Sequence, residues 1–464
     1  MRVLLVKPGL DPGKRLFAAP PIGLGYLATA IKGDHEVAIL DAEIRGLSPE
    51  QVATEAARRR ADVVGFQYFS FQRGALEQCL RAVKERCPGA VTVAGGPHPS
   101  AIGAAALDEE PALDFAIRGE GERGMAELLR QLAAGTDDWE HVAGLCYRRD
   151  GRVFANHRHE EDDLDRLDFA ATELLDPGLY GRGVPQGLFT RQNPVWAIVT
   201  TRGCPYPCTF CSAAANGGKL IRRRRAANVA AEVTRLHRDF GIREIHVWDD
   251  NFTFYREHAM TVSDAIARLS LPVTLSMPNG VRIDALDDEV LVAMRRAGFY
   301  SLGFGIESGV ERVRKLMGKT FDNRLVKETI RRVKGHGFQT VGFFILGYPG
   351  ETREEMAASS RFPDEVGLDF ASFGNYTPLP GTPSWDDLVK RKVIPADYRV
   401  PMTSGRAGFA PEGISPRELE KIQRRAIVRH YLRPRRLARA LSMVGPHAAP
   451  YLARRLYQLA LRPA

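Results

Sequence analysis

Short, unbroken apolar runs that recur between helical stretches constrain this chain more than any other feature of its 464 residues. A strand buried on both faces reads as a continuous run of Val, Ile and Leu, and parallel strands need a crossover between them. Arg2 to Val6, Glu36 to Leu40, Asp62 to Phe66, Ala90 to Ala94 and Phe115 to Ile117 are such runs. Between them Gly23 to Ile31, Pro49 to Arg60 and Gly74 to Cys87 read as helices, the second with Ser48 as its N-cap. The pattern predicts a doubly wound, Rossmann-like parallel sheet over residues 1–135, with its ligand crevice beyond the carboxyl ends of the strands. Those ends are Lys7 to Leu10, Gln67 to Phe71, Gly95 to Ser100 and Arg118 to Glu122.

Residues 136–190 lose this alternation and turn acidic around Glu160 to Asp163, which predicts a linker with a small hairpin at Asp150-Gly151. Over residues 191–394 the alternation resumes with a longer period. Candidate strands are Trp196 to Thr200, Glu244 to Trp248, Val273 to Ser276, Ser301 to Gly305, Thr340 to Leu346 and Phe370 to Tyr376. Six such units predict an open, partial (β/α)6 barrel of the TIM type, in which functional groups gather at strand carboxyl ends. Residues 395–464 read as an irregular stretch followed by a basic helical tail from Ser415 onward.

Charge is concentrated in that tail. From Ser415 to Ala464 there are 12 basic and 2 acidic residues, which is +10 of a total of +9 and leaves −1 for the rest. A body that is neutral on balance argues against a nucleic-acid groove across it. In the tail Leu432, Leu437, Leu441, Leu452, Leu456 and Leu459 alternate with arginines. Docking on the barrel, peripheral contact with an anionic membrane and binding of a partner are all open to it. No apolar run approaches the roughly 18–20 residues of a membrane span, and Met1 to Lys7 does not read as a signal peptide, so a cytoplasmic protein is expected.

Cys79, Cys87 and Cys146 are scattered, whereas Cys204, Cys208 and Cys211 crowd into the loop after the first barrel strand. Three cysteines at this spacing suit three irons of a four-iron cluster and leave the fourth iron open. A zinc knuckle lacking one ligand, or cysteines merely near one another, are the alternatives.

Thr201-Arg-Gly-Cys204-Pro-Tyr-Pro-Cys208-Thr-Phe-Cys211 resembles the cluster loop of the radical S-adenosylmethionine (SAM) superfamily, with Phe210 in the aromatic place before the third cysteine. The resemblance implies a 4Fe–4S cluster whose open iron chelates the methionine end of SAM, and a reductive cleavage that yields a 5′-deoxyadenosyl radical. It extends to other strand ends. Asp249 or Asp250 resembles the position that receives the methionine amino group, Arg282 suits a carboxylate, Glu307 and Ser308 resemble the polar pair near ribose and carboxylate, and Gly347 lies in a motif that runs along the adenine. The run Arg222 to Arg225 reads as a solvated charged turn or a closure of the cofactor side.

Ahead of the barrel, Pro20-Pro-Ile-Gly-Leu24-Gly-Tyr-Leu27, Gly95-Gly-Pro-His98-Pro and Arg118-Gly-Glu-Gly-Glu122 resemble the cobalamin-binding domain of one branch of that superfamily. The resemblance implies cobalamin contacts at Ser70, Gly95, Gly96, His98, Gly119 and Glu120. These loops also suit plain packing against the barrel. None of the eleven histidines stands in an Asp-x-His-x-x-Gly motif, so no cobalt ligand comes from that sequence.

The implied activity is that of a cobalamin-dependent radical methylase acting on an unactivated carbon of a small-molecule or lipid-like substrate. An external electron donor such as flavodoxin or ferredoxin would serve it, and no nucleic acid is expected. The alternatives are cyclisation or rearrangement with the same cofactors, a radical SAM enzyme whose first domain binds no cobalamin, and a cofactor-containing sensor. Methylthiolation would call for a second cysteine trio, which Cys79 and Cys87 do not supply.

Overall fold

The structure, a computed structural model, describes residues 1–9, 19–180, 190–401, 405–433 and 436. Its first sheet holds β1 (Arg2–Lys7), β2 (Glu36–Asp41), β3 (Val63–Gln67), β4 (Val91–Gly95), β5 (Phe115–Ile117), β6 (Leu145–Arg149) and β7 (Arg152–Ala155). Their order is β2-β1-β3-β4-β5-β6-β7, and the first five run parallel. Order 2-1-3-4-5 is a doubly wound arrangement whose direction reverses between β1 and β3. Alternate residues of β1 serve two cores. Leu4 and Val6 pack with Phe66, Leu76 and Leu80 on one face, Val3 and Leu5 with Leu24, Ala28 and Leu128 on the other. Burial on both faces is why this strand reads as an unbroken apolar run.

The helix Pro49–Arg58 starts as expected, since Ser48 and Gln51 form a capping box. The Asp150-Gly151 hairpin has positive φ at both turn residues, 51° and 74°, the twist that tight hairpins favour. It does not stand apart from the sheet. β6 pairs antiparallel with β5 and buries Leu145, Cys146 and Tyr147, so the hairpin lengthens the first sheet by two strands.

The second sheet contains β8 (Val195–Ile198), β11 (Glu244–Val247), β12 (Thr274–Val281), β13 (Phe299–Glu307), β14 (Gln339–Leu346) and β15 (Phe370–Asn375). A two-residue ribbon, β9 (Thr201–Arg202) with β10 (Arg222–Arg223), stands beside it. The six strands pair in sequence order, all parallel, with β8 and β15 at the edges. The sheet is therefore an open barrel of six units. β12 runs past Ser276, where the apolar pattern stops, because its backbone stays extended through Asn279 while the pairing with β13 shifts register between Met277 and Val281.

The helix Pro416–Tyr431 lies along the β15 edge. Gln423 Nε2 donates to Phe373 O at 2.8 Å and Tyr431 OH to Ala371 O at 2.9 Å, which satisfies carbonyls that an edge strand would leave open. This part of the basic tail docks on the barrel; the leucines from Leu437 onward lie outside the described residues. Among the described residues no helix is long and apolar enough to cross a membrane.

Candidate active site between the two sheets

The cysteine loop springs from the β9–β10 ribbon and is pinned along its length. Gly203 has φ +93°, and any Cβ there would enter the Leu220 carbonyl. Cys204 N donates to Gly218 O at 3.1 Å. Thr209 N donates to Met317 O at 3.1 Å, Thr209 Oγ1 meets Tyr348 OH at 2.6 Å, and Ser384 N donates to Thr209 O at 2.9 Å. Gly318 lets the Pro207 carbonyl come close, where a Cβ would lie 2.5 Å from it. Phe210 packs against the cluster of Val313, Met317, Tyr348 and Tyr376. The loop is thus held at several points by the segments that follow β13, β14 and β15.

Desolvation raises the thiols of Cys204, Cys208 and Cys211, the last to about 12; Cys204 also feels the charge of Cys208, and Cys211 that of Cys208 and Cys204. Yet among the described residues no three His, Cys, Asp or Glu side chains converge on a point where one metal ion would sit. A zinc site would draw its sulfurs to about 2.3 Å from a common centre. Three neighbouring thiols that do not share one such centre fit a multi-iron group better than a single ion.

Consecutive residues at strand ends point to opposite sides, and that separates the predicted pairs. Asp249 is buried and committed: it accepts from Thr200 N at 2.6 Å and Thr200 Oγ1 at 2.5 Å, while burial pushes its carboxyl up to about 6. Asp250 has no partner among the described residues, and its charge reaches Cys204 and Cys211. Glu307, at φ +65°, accepts from Lys319 Nζ at 2.8 Å. Ser308 is fully buried; its hydroxyl shares a hydrogen bond with Ser359 at 2.9 Å and accepts from Val310 N at 3.1 Å. Arg282 binds Asp284 at 2.6 and 2.9 Å and stacks over Tyr206 at 3.5 Å, within the cysteine loop itself. Gly347, at φ +80°, donates its N–H to Glu351 Oε2 at 2.7 Å.

The sequence reading missed Lys319, Tyr206, Thr209 and Tyr348. Lys319 lies in no motif; its one signal is the preceding Gly318, whose close approach to Pro207 brings it beneath Phe210 at 6.0 Å.

At the carboxyl edge of the first sheet the predicted residues divide in two. Among the described residues Gly95 is open, with only Ile117 O near a built Cβ, and Gly96 has φ +114° beside the Tyr68 carbonyl. Phe69 and Phe71 stack there at 5.3 Å, both half-buried. This glycine and aromatic edge fits a large flat ligand approached by backbone. His98 is engaged instead: Nδ1 meets Ser70 Oγ at 2.8 Å, Nε2 meets Glu109 Oε2 at 3.0 Å, and the ring is 4% exposed. Both ring nitrogens, and the Ser70 hydroxyl with them, are used within the domain.

Gly119 and Glu120 turn toward the barrel. Gly119 N donates to Ser100 Oγ at 2.8 Å, and Ser100 Oγ meets Asn216 Oδ1 at 3.3 Å on the short helix that follows Cys211. Glu120 accepts from Arg222, and Glu122 from Arg202. Burial would raise the Glu122 carboxyl, but the charge of Arg202 outweighs it and holds it below the ordinary value. The run Arg222 to Arg225 is half buried by its strand period: Arg222 and Arg224 turn inward to Glu120 and Glu232, Arg223 and Arg225 outward. The carboxyl edges of the two sheets therefore meet across the cysteine loop.

A doubly wound domain and an open parallel barrel joined at such a loop define an enzyme class with two facing cofactor sites. Residues 198–362 match the model of the radical SAM superfamily and residues 13–129 that of the B12 binding domain. Cytidylyl-2-hydroxyethylphosphonate methyltransferase of Streptomyces wedmorensis is 30% identical, with 85% of this chain and 84% of that protein covered. An uncharacterized methyltransferase of Pyrococcus horikoshii is 29% identical, with 94% and 93% covered. The structure of the radical SAM methyltransferase TsrM of Kitasatospora setae with cobalamin and 4Fe–4S cluster bound is 18% identical, superposes with a TM-score of 0.69, and covers 97% of this chain and 92% of its own. The chain belongs to the B12-binding branch of the radical SAM superfamily.

Proposed function

We propose that this enzyme is a cobalamin-dependent radical SAM methylase that alkylates an unactivated carbon of a small-molecule or lipid-like substrate. The observation that carries the reading is the cysteine loop lying between two strand-end edges, one rich in glycine and aromatic residues, the other lined by Asp250, Arg282 and Glu307. A methylase that joins a substrate radical to a corrin-borne methyl group needs such opposed sites. Matches to methyltransferases over most of both chains support it.

When bound, a 4Fe–4S cluster would supply the electron for radical chemistry on SAM, and cobalamin would supply methyl transfer. The chain supplies positions. Cys204, Cys208 and Cys211 hold three irons; Asp250 offers a carboxylate to the SAM amino group; Arg282 offers a cation to its carboxylate; Gly347 presents backbone to the adenine. Phe210 shields the loop from water. Gly95 and Gly96 admit the corrin, and since both nitrogens of His98 are committed, this loop gives cobalt no histidine. In this division residues 1–135, extended by the hairpin of β6 and β7, serve the corrin, 191–394 serve SAM, the rest of 136–190 connects them, and 395–464 form a basic C-terminal region. Reduction requires an external donor such as flavodoxin or ferredoxin, and we place the enzyme in the cytoplasm.

The test is anaerobic reconstitution with iron, sulfide and hydroxocobalamin, which should leave about four irons and one corrin per chain. A Cys204→Ala, Cys208→Ala, Cys211→Ala variant should lose the iron. With methyl-labelled SAM the product should carry label and 5′-deoxyadenosine should accumulate. Iron without corrin would overturn the methylase reading.

A further inference from the structure

The two acids of Arg118-Gly-Glu120-Gly-Glu122 leave their own domain. Glu120 Oε1 accepts from Arg222 Nη2 at 2.7 Å, and Glu120 Oε2 accepts from Arg222 Nη1 at 3.0 Å, a two-pronged pair that fixes direction as well as distance. Glu120 also faces Arg202 at 3.4 Å, and Glu122 accepts from Arg202 at 2.7 Å. Side-chain exposure is 3% for Arg222, 8% for Glu120, 14% for Glu122 and 15% for Arg202. Charges so shielded from water act strongly on one another, and removing one partner strands the other.

All four groups are rooted in the two candidate cofactor loops. Arg202 and Arg222 face each other across the β9–β10 ribbon that carries the cysteine loop. Arg222 also donates to Gly217 O at 2.7 Å, at the end of the helix that follows Cys211, and to Glu161 O at 2.9 Å. Arg202 lies over the ring of Tyr26 at 5.2 Å, in the segment from Pro20 to Leu27. Any shift of one loop on filling is therefore passed to this ion cluster, and through it to the opposite loop.

We propose that Glu120, Glu122, Arg202 and Arg222 form a positioning clamp that couples the two cofactor sites, so that filling the cysteine loop tightens corrin binding. This rests on the reading above that both cofactors bind. Glu120 is then a positioning residue and not a corrin contact. Linkage makes the coupling reciprocal, so it is readable without substrate or turnover.

The experiment measures the dissociation constant of hydroxocobalamin on the full chain, iron-free and cluster-loaded, by anaerobic absorbance titration. The wild-type constant should fall by at least about five-fold on cluster loading. In Glu120→Gln the ratio should shrink below about two-fold while iron content stays at the wild-type level. Glu120→Gln/Arg222→Gln should likewise stay below about two-fold, because the coupling has already gone with the pair that the two residues share. Glu127→Gln, which disturbs the pair with Arg123 on the same helix away from the barrel, should keep the wild-type ratio. If Glu120→Gln fails to retain iron, Glu122→Gln carries the same comparison, since it leaves the Glu120–Arg222 pair intact. Corrin binding of equal strength in both states, or an undiminished ratio in the variants, overturns the clamp and leaves the methylase reading standing. Absence of corrin binding in every state overturns both.

Discussion

Gly203→Ala tests whether the cysteine loop is held by its ribbon. Gly203 has φ +93°, and an added Cβ would penetrate the Leu220 carbonyl and lie 3.1 Å from Gly217 O. Both obstacles are backbone, so no side chain can swing aside and the ribbon must open. The left-handed conformation costs an alanine about 1–2 kcal/mol, and forced overpacking typically adds about 1–3 kcal/mol. The sum of ~2–5 kcal/mol is less than the ~5–15 kcal/mol that stabilises a domain, so the fold should survive while the loop gives way. At roughly 2–4 °C per kcal/mol the melting midpoint should fall by ~4–20 °C. Gly241→Ala is the control: its φ is +65°, but nothing lies within 4 Å of a built Cβ, so only the left-handed cost applies. Anaerobic reconstitution followed by iron analysis and thermal melting of both variants reads the difference. Gly203→Ala should hold well under half the wild-type iron, and Gly241→Ala all of it. A Gly203→Ala protein that keeps its full iron and melts no lower than Gly241→Ala would refute the reasoning.

Burial pushes Glu351 up to about 8, and its Oε1 has no hydrogen-bond partner among the described residues. A raised carboxyl makes its stabilising contribution below the unfolded value near about 4 and loses it as pH climbs through 8, so Glu351→Gln should gain melting temperature over wild type increasingly from pH 5 to pH 8; a constant difference would contradict this. Gln423→Leu leaves the Phe373 carbonyl without its side-chain donor and takes from Asn375 Nδ2 one of its two acceptors, the Gly405 carbonyl remaining, so urea unfolding should show a loss of about 1–3 kcal/mol, and an unchanged midpoint would deny the helix its edge-covering role. His98→Ala should leave the paramagnetic spectrum of bound cob(II)alamin unchanged, because both ring nitrogens are already spent on Ser70 and Glu109. A nitrogen splitting present in wild type and lost in the variant would assign His98 to cobalt.

What the sequence determined by itself was local. Periodicity marks β1 as doubly buried because each of its residues meets a core on its own face, and that demand is written into consecutive letters. Ser48 and Gln51 announce their helix because a capping box closes within four residues. The cysteine trio is legible for the same reason: its spacing lies inside one loop. Tertiary structure decided everything that depends on two distant segments meeting. It committed Asp249 to Thr200 while leaving Asp250 without a partner among the described residues, and turned Ser308 toward Ser359, 51 residues away. It brought Lys319 to Glu307 through a turn that no motif marks. It also joined Glu120 to Arg222, 102 residues apart, and Glu122 to Arg202, 80 apart. A charge at a strand end is equally suited to a cap, a cofactor or a partner until the docking of two sheets fixes its neighbour. Docking is a property of assembled surfaces, and no spacing along the chain encodes it.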